Sequence, residues 1–277
     1  MLTERDFAVL KSVVHYYTLT RAQLSHLHFP DDVTGRMTRK RLHALVDIGL
    51  VAKTNMQVVN PAMGSPAPVY FPTRDGVAYL TEQTGDDHWQ TASACSPNWQ
   101  HLYHFTEIAD QHILIDSAVA IVPELSIATW VGEYSIANPN ETEPHKRFSL
   151  YSLLSEPGQH RVVCKPDAGF LLSYREFRRV YYLETDRDTT KNAERVAAQK
   201  SPGYTALHDR SHHLKQFPEA NVGSFVVLVI APNVRRRDAL RKAFAEKSLL
   251  TLFKFAAKPE LTPDNFGSCT VIGGRQY

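Results

Sequence analysis

The chain has 277 residues, 43% of them hydrophobic, and a formal net charge of +2. At about 150 residues per domain, this length indicates two domains with ordinary hydrophobic cores, and so small a net charge does not by itself indicate a nucleic-acid partner. The three cysteines lie far apart without a Cys-x-x-Cys pair. This argues against a zinc ribbon and a disulfide framework, and it favours a reducing cytoplasm. The sequence shows no apolar run long enough to cross a bilayer and no signal-peptide pattern, so we expect a cytoplasmic protein without membrane contact.

The first 84 residues show the order of three helices, a two-stranded hairpin and a fourth helix. Apolar residues recur at helical spacing in the helices, and a polar, proline-containing excursion separates the strands. The predicted elements are helices at 3–17, 20–27, 34–49 and 75–83 and strands at 50–51 and 69–71. The third helix should bury Met37, Leu42, Leu45 and Val46. This order is typical of a winged helix-turn-helix, which we predict for residues 1–84.

Cations cluster on the third helix, the recognition position of this architecture. Such a helix lies in the major groove, where arginine can pair with guanine and lysine can reach phosphates. The candidate DNA-binding residues are Arg36, Arg39, Lys40, Arg41 and His43, with Lys53 beside the wing. Two alternatives stay open at this point. The charges can be a solvated helix face, and some winged helices bind proteins and not DNA.

Residues 85–100 form a predicted linker, and residues 101–277 a second domain. A long helix over 102–122 carries Glu107 near the edge of its apolar stripe, with His104 and His112 along one side. These two histidines are too far apart to hold a metal alone. His208 and His212 have the spacing of a zinc pair, but no third ligand is apparent, so solvated histidines are the better interpretation.

The central feature of the second domain is a hairpin bounded by two acids. Apolar runs at 168–172 and 180–183 flank a polar segment, 173–179, which predicts two strands joined by a moderately long loop. Asp167 precedes the first strand and Glu184 ends the second, so the two carboxylates should lie opposite each other. Converging acids repel unless a cation lies between them, and Mg²⁺ is the commonest oxygen-binding solution.

Further along, the run 224–231 is continuously apolar, which predicts a strand buried on both faces in a mixed central sheet. A basic helix opens at 235–237, and segments 249–255 and 269–272 are candidate final strands. The helix at 189–199 is predicted to end before Ser-Pro-Gly at 201–203, with a further helix over 206–217. The second domain is therefore predicted to be α/β.

The order of helix, strands, hairpin, helix and buried strand resembles the PD-(D/E)xK nuclease fold. Pro166-Asp167 matches the Pro-Asp of that motif, and Glu184 matches its second acid. The whole chain, from the winged helix to the helix carrying Lys200 and Tyr204, resembles the replication-relaxation family of plasmid and mobile-element proteins. The resemblance implies a sequence-specific protein that binds double-stranded DNA and acts in replication, relaxation or transfer. It also implies a metal-dependent DNA nicking or cleaving domain.

The chain departs from the nuclease motif at one position, where Asp186 replaces the usual lysine. In one interpretation Asp186 is a third metal ligand, and Lys200 or Lys191 replaces the missing cation from the following helix. Asp167 and Glu184 would then hold Mg²⁺ or Mn²⁺, Lys200 would contact the scissile phosphate, and Glu107 would support the site. In the other interpretation the site is an inactive scaffold.

Structural explanations also exist for these acids. Asp167 can form a turn after proline, and Glu184 and Asp186 can cap the next helix. Three functions therefore stay open: a metal-dependent nickase, an inactive DNA-binding accessory factor or transcriptional regulator, and a protein-interaction adaptor. The sequence leaves the DNA target and a homodimer undecided.

Overall fold

The structure is a computed structural model that describes residues 2–57, 67–91, 97–155, 158, 160–247 and 250–267. It is a mixed α/β protein, as expected, with a mixed central sheet and ten α-helices within the described residues. The chain divides into two compact units, Met1–Ile113 and Leu114–Tyr277. The division falls within one long helix, and the domain boundaries expected at residues 84 and 101 stay a prediction.

The first unit contains five helices and a small sheet. Its elements are α1 (Glu4–Tyr16), β1 (Leu19–Thr20), α2 (Arg21–His28), α3 (Arg36–Asp47), β2 (Val51–Asn55), β3 (Pro68–Pro72), α4 (Arg74–Thr84) and the first half of α5 (Leu102–Ile121), with 3₁₀ turns at Asp87–Thr91 and Trp99–His101. β3 is the central strand of an antiparallel sheet in the order β1-β3-β2. β1 was not predicted, because two residues are too few to show a period.

Helix starts in this unit follow their capping residues. The Thr3 hydroxyl accepts from the Asp6 amide, and the Asp6 carboxylate accepts in return from the Thr3 amide, which forms a capping box. Thr20 and Gln23 form the same box at α2. The apolar faces of these helices meet in a core that includes Val9, Leu10, Leu24, Leu42, Leu45 and Tyr70.

The prediction that Met37 lies on the buried face of α3 is wrong. Met37 is 47% exposed, and Thr38 is fully buried in its place. The Thr38 amide and hydroxyl both donate to the Asp32 carboxylate, at 2.7 and 2.8 Å. These bonds compensate the burial of a polar residue, and the helix is consequently turned so that Met37 faces solvent. Leu42 and Leu45 are buried as predicted, and Val46 is partly buried.

The second unit is built on a five-stranded mixed sheet. Its elements are the rest of α5, β4 (Leu125–Gly132), α6 (Pro144–Arg147), β5 (Ser152–Leu153), β6 (Val163–Cys164), β7 (Ala168–Tyr174), β8 (Phe177–Thr185), α7 (Ala193–Asp209), α8 (His213–Gln216), β9 (Val226–Ala231), α9 (Val234–Ala245), β10 (Phe253–Ala257) and α10 (Pro263–Gly267), with 3₁₀ turns at Leu250–Leu252 and Lys258–Glu260. The strand order is β10-β9-β8-β7-β4.

Pairing directions within the sheet follow the connections. β4, β7 and β8 are antiparallel neighbours, whereas β9 and β10 join β8 in parallel. Every residue of β9 is buried, which confirms the prediction of a central strand. The predicted strand at 269–272 lies outside the described residues. The predicted strand at 249–255 corresponds to β10, which begins at Phe253.

The hairpin loop is shorter than predicted. Tyr174 pairs with Phe177, so only Arg175 and Glu176 connect β7 to β8. Arg175 has φ of 53° in this tight turn. Ser173 and Arg178 pair with each other near the strand ends, where Ser173 is partly buried and Arg178 is exposed, so their polarity does not mark a loop.

The predicted break at Ser-Pro-Gly is also wrong, because α7 continues through Pro202 to Asp209. Gly203 packs so closely on β6 that a Cβ atom there would collide with the Val163 carbonyl oxygen. The Tyr204 side chain, 1% exposed, and Ala197 on the preceding turns lie in the unit's hydrophobic core. Tertiary packing thus outweighs the hydrogen bond lost at proline.

Candidate active site: an acid–lysine cluster

The hairpin brings Asp167 and Glu184 together at one end of the sheet. Ala168 pairs with Leu183, so Asp167 lies opposite Glu184 in the antiparallel register. The Asp167 amide donates to the Leu183 carbonyl at 3.1 Å. The Thr185 amide donates to Asp167 Oδ2 at 2.6 Å, which orients the carboxylate. Both acids are more than nine-tenths buried, at 8% and 7% exposure.

Helix α7 supplies two partners for Glu184. Lys200 Nζ lies 2.6 Å from Glu184 Oε2, and the Tyr204 hydroxyl donates to Glu184 Oε1 at 2.5 Å. Residues four apart lie on the same face of a helix, so Lys200 and Tyr204 reach one carboxylate together. The structure thereby places Lys200 and Tyr204 at Glu184, and a contact of Lys200 with a scissile phosphate stays a prediction. The i, i+4 spacing from Lys200 is the signal that could have identified Tyr204 as a site residue.

Electrostatics couple the members of this cluster. Burial raises the pKa of Glu184 to about 7, against the lowering effect of the Lys200 ammonium, and the Asp167 charge raises it further. Burial acts to lower the pKa of Lys200, but the Glu184 and Asp167 carboxylates outweigh it and raise that pKa above its ordinary value. Lys200 therefore stays charged where it contacts Glu184.

A cavity of about 100 Å³ opens at this cluster. It is lined by polar residues and by apolar residues from α7, β9, α9 and β10; the polar ones are Asp167, Glu184, Thr185, Asp186, Lys200 and Tyr204. A liquid water molecule takes about 30 Å³, so the cavity has room for a cation with a few water ligands. Carboxylate oxygens are the ligands that Mg²⁺ and Mn²⁺ prefer. Asp167 and Glu184 therefore offer oxygen donors of the kind that a divalent cation binds, while Lys200 and Tyr204 engage both oxygens of Glu184.

Glu133, just after β4, is an acid near this site that the sequence did not indicate. One of its carboxylate oxygens lies within 4.8 Å of one from Asp167. The Glu133 amide donates to the Asp167 carbonyl at 2.9 Å, and Lys165 Nζ lies 2.6 Å from Glu133 Oε2. A β-bulge between Ile127 and Thr129 shifts the register of β4. The position of Glu133 therefore depends on an irregularity that no sequence period shows.

Asp186, the residue that stands where the PD-(D/E)xK motif has a lysine, contacts an arginine. Arg236 Nε donates to Asp186 Oδ2 at 2.7 Å, and Arg236 Nη2 donates to Oδ1 at 3.1 Å. The remaining guanidinium bonds go to the carbonyls of Thr190 and Lys191, at 2.7 and 2.9 Å. Both Asp186 oxygens are thus engaged by Arg236, whose guanidinium joins the end of β8 to α9. Metal binding by Asp186 stays a prediction that competes with this pair.

Lys191 and Glu107 are the other residues that the sequence suggested for this site. Lys191 is 82% exposed and pairs with Asp188 at 3.1 Å, so Lys200 is the lysine that the structure places at Glu184. Glu107 lies on the half of α5 that belongs to the first unit, and its support of the acids stays a prediction. Among the described residues, the groups of three whose donor atoms lie close enough for a metal include Asp167 and Glu133 but not Glu184, Asp186, His208 or His212.

The cations of α3 differ in exposure, and two of them have acidic partners: Arg41 contacts Asp6, and His43 Nε2 lies 3.4 Å from Asp47 Oδ2. Arg36, Arg39, Lys40 and His43 are exposed, and Lys53 is exposed on β2. Arg41 behaves differently, because its Nε donates at 2.6 Å to Asp6, whose side chain is 1% exposed. The expectation that Arg41 is a DNA-contacting residue therefore meets a competing role in the fold. Most of the predicted wing, residues 58–66, lies outside the described residues.

Fold and site together define a mixed α/β protein with a buried acid–lysine cluster at one end of its central sheet. The family model described as replication-relaxation matches residues 10–219, well over half of the chain. The chain therefore belongs to the replication-relaxation family. No curated protein and no solved structure matches it. Among the described residues, no helix is both long and apolar enough to span a membrane.

Proposed function

We propose that this protein binds double-stranded DNA through a winged helix-turn-helix in its first unit and nicks DNA with a PD-(D/E)xK-like site in its second. Its setting would be cytoplasmic replication, relaxation or transfer of a plasmid or mobile element, in line with its family. The observation that carries the proposal is the convergence of Asp167, Glu184 and Lys200 on one cavity.

The arrangement of the first unit supports the DNA-binding part. Three helices precede the β2–β3 pair, and α3 exposes three cations, Arg36, Arg39 and Lys40, on one surface. Within the described part of the chain, neither Arg36 nor Lys40 has an ion-pair partner. Unpaired cations on a recognition helix are available for phosphates and base edges.

The second unit supports the nicking part. A divalent cation held by Asp167 and Glu184, with Glu133 as the third acid, would lower the pKa of a bound water and stabilise the leaving oxygen. Tyr204 holds the Glu184 carboxylate by its hydroxyl hydrogen bond. Lys200, whose raised pKa keeps it protonated, provides a positive charge beside the acids that can contact a phosphate.

A second candidate is an inactive DNA-binding accessory factor. Lys200 and Tyr204 engage both oxygens of Glu184, and Arg236 engages Asp186. In this alternative the ion pairs stabilise a scaffold, and only the first unit has a direct function. Loss of binding with rising salt would distinguish either DNA-binding function from a protein adaptor, because each phosphate contact releases counterions.

Nicking of supercoiled plasmid tests the proposal. We expect the wild-type protein to produce open circles with Mg²⁺ or Mn²⁺ and not with EDTA. Asp167→Asn and Glu184→Gln should abolish nicking while duplex binding is retained, because both variants keep the side-chain shape. DNA binding without nicking by the wild type would favour the accessory factor, and no salt-dependent binding would favour the adaptor.

A further inference from the structure

The surface that precedes and opens α3 presents apolar side chains among its cations. Val33 is 96% exposed and Met37 is 47% exposed, whereas Arg36 lies between them in sequence and is also exposed. Single exposed apolar residues are ordinary on protein surfaces, but these two flank Arg36 at the start of the predicted recognition helix. We call the surface formed by Val33, Arg36, Met37 and Lys40 the α3 tip.

The loop that carries Val33 is held in place by hydrogen bonds. The Asp32 amide donates to the Phe29 carbonyl at 3.0 Å, and the Gly35 amide donates to the Asp32 carbonyl at 2.9 Å. Arg39 Nη2 donates to the Thr34 carbonyl at 3.1 Å. Hydrogen bonds to the backbone and side chain of Thr38 lower the pKa of Asp32, which keeps this acid charged at the base of the loop. The exposure of Val33 is therefore a defined feature of this turn.

Met37 differs from Val33 in its surroundings. It borders an open groove that Arg5 and Phe29 also line, so part of its side chain packs against the unit. Its exposed part faces the same side of the helix as Lys40, three residues later. In a helix-turn-helix, the residues at the start of the recognition helix are those that reach base edges in the major groove.

We propose that Val33 and Met37 read the C5-methyl groups of thymines in the DNA target of this protein. The proposal rests on the DNA-binding function proposed above and names its specificity. Thymine is the base that presents an apolar group in the major groove, and valine and methionine can cover that group without a hydrogen bond. Arg36 and Lys40, the other two residues of the α3 tip, are positively charged and so complement DNA. A protein that bound only the apolar side chains would not require these charges.

Replacement of thymine by uracil removes the methyl group and leaves the Watson–Crick edge unchanged. Duplexes enriched by the protein from a random library would be resynthesised with uracil at each thymine in turn, and binding would be measured by fluorescence anisotropy. We expect roughly a fourfold loss of affinity at each thymine whose methyl group is buried. Val33→Ser or Met37→Gln, which remove the methyl groups or make the side chain polar, should largely remove the effect of uracil at the position that the residue contacts.

Controls separate the inference from the function on which it rests. Ile48→Thr, at the other end of α3 and 55% exposed, should leave the uracil effect unchanged. Binding that is insensitive to uracil at every position, or equally sensitive in the Val33 and Met37 variants, would overturn thymine readout while leaving DNA binding intact. Absence of any duplex binding would overturn the DNA-binding function as well.

Discussion

Removal of the Arg236 guanidinium should destabilise the protein far more than removal of the guanidinium of Arg237, the next residue. Arg236 is 6% exposed, and it donates two hydrogen bonds to Asp186 and one each to the carbonyls of Thr190 and Lys191. Arg236→Met leaves the Asp186 charge largely buried, since that side chain is 11% exposed. Breaking a buried ion pair in this way costs about 3–5 kcal/mol of unfolding free energy.

A matched control lies one residue away. Arg237 pairs with Asp238 and Glu260, whose side chains are 44% exposed. Solvent screens such pairs, so Arg237→Met should cost less than about 1 kcal/mol. Urea denaturation followed by far-UV circular dichroism would compare the two variants with the wild type.

A double variant tests the reason for the loss. Asp186→Leu combined with Arg236→Met removes both charges. The free energy of unfolding of this double variant should be about 1–3 kcal/mol higher than that of Arg236→Met alone. Equal stabilities of the Arg236 and Arg237 variants would refute the reasoning that Arg236 is the anchor of this region. Asp186 would then be available as the metal ligand that the sequence suggested.

Three further predictions follow from individual residues. Arg41→Ala should lower the melting temperature because it leaves the buried Asp6 carboxylate without its charged partner. Arg36→Ala should leave the melting temperature unchanged and lower the salt slope of DNA binding by about 1. The pKa of Glu184 is raised in the folded state from 4.5 to about 7, so the folded state binds more protons than the unfolded state in this range. The free energy of unfolding should therefore fall as the pH rises from 4.5 to about 7, and calorimetry of Glu184→Gln should show no such slope. Burial lowers the pKa of His213, with the charges of neighbouring histidines adding to the effect, so stability should fall as pH drops below the ordinary value of 6.5, and His213→Leu should flatten this dependence.

The parts of the site that follow a short-range period were predictable from the sequence. Asp167 and Glu184 flank two apolar strand segments, and antiparallel pairing places them opposite each other. Lys200 was predictable as a replacement cation only through the family resemblance. Tyr204 was accessible from the helical spacing, but the expected helix break at Pro202 separated it from Lys200.

Contacts between distant segments could not be predicted in the same way. Arg236 lies fifty residues after Asp186, and their pairing depends on the parallel arrangement of β8 and β9. Glu133 depends on a bulge in β4. On α3, the exchange of Met37 for Thr38 on the buried face depends on the Asp32 side chain, which binds Thr38 from the preceding loop. In each case a side-chain hydrogen bond or a register shift, and not a sequence period, decided the outcome.

The most direct measurement of the central claim is Mn²⁺ binding, followed by electron paramagnetic resonance, to the wild type and to three variants. In the proposed function Asp167 and Glu184 hold a divalent cation, whereas Asp186 pairs with Arg236. We therefore expect Asp167→Asn and Glu184→Gln to lose bound Mn²⁺ and Asp186→Asn to retain it. Wild-type protein that binds no Mn²⁺, or binding that only Asp186→Asn abolishes, would contradict the account.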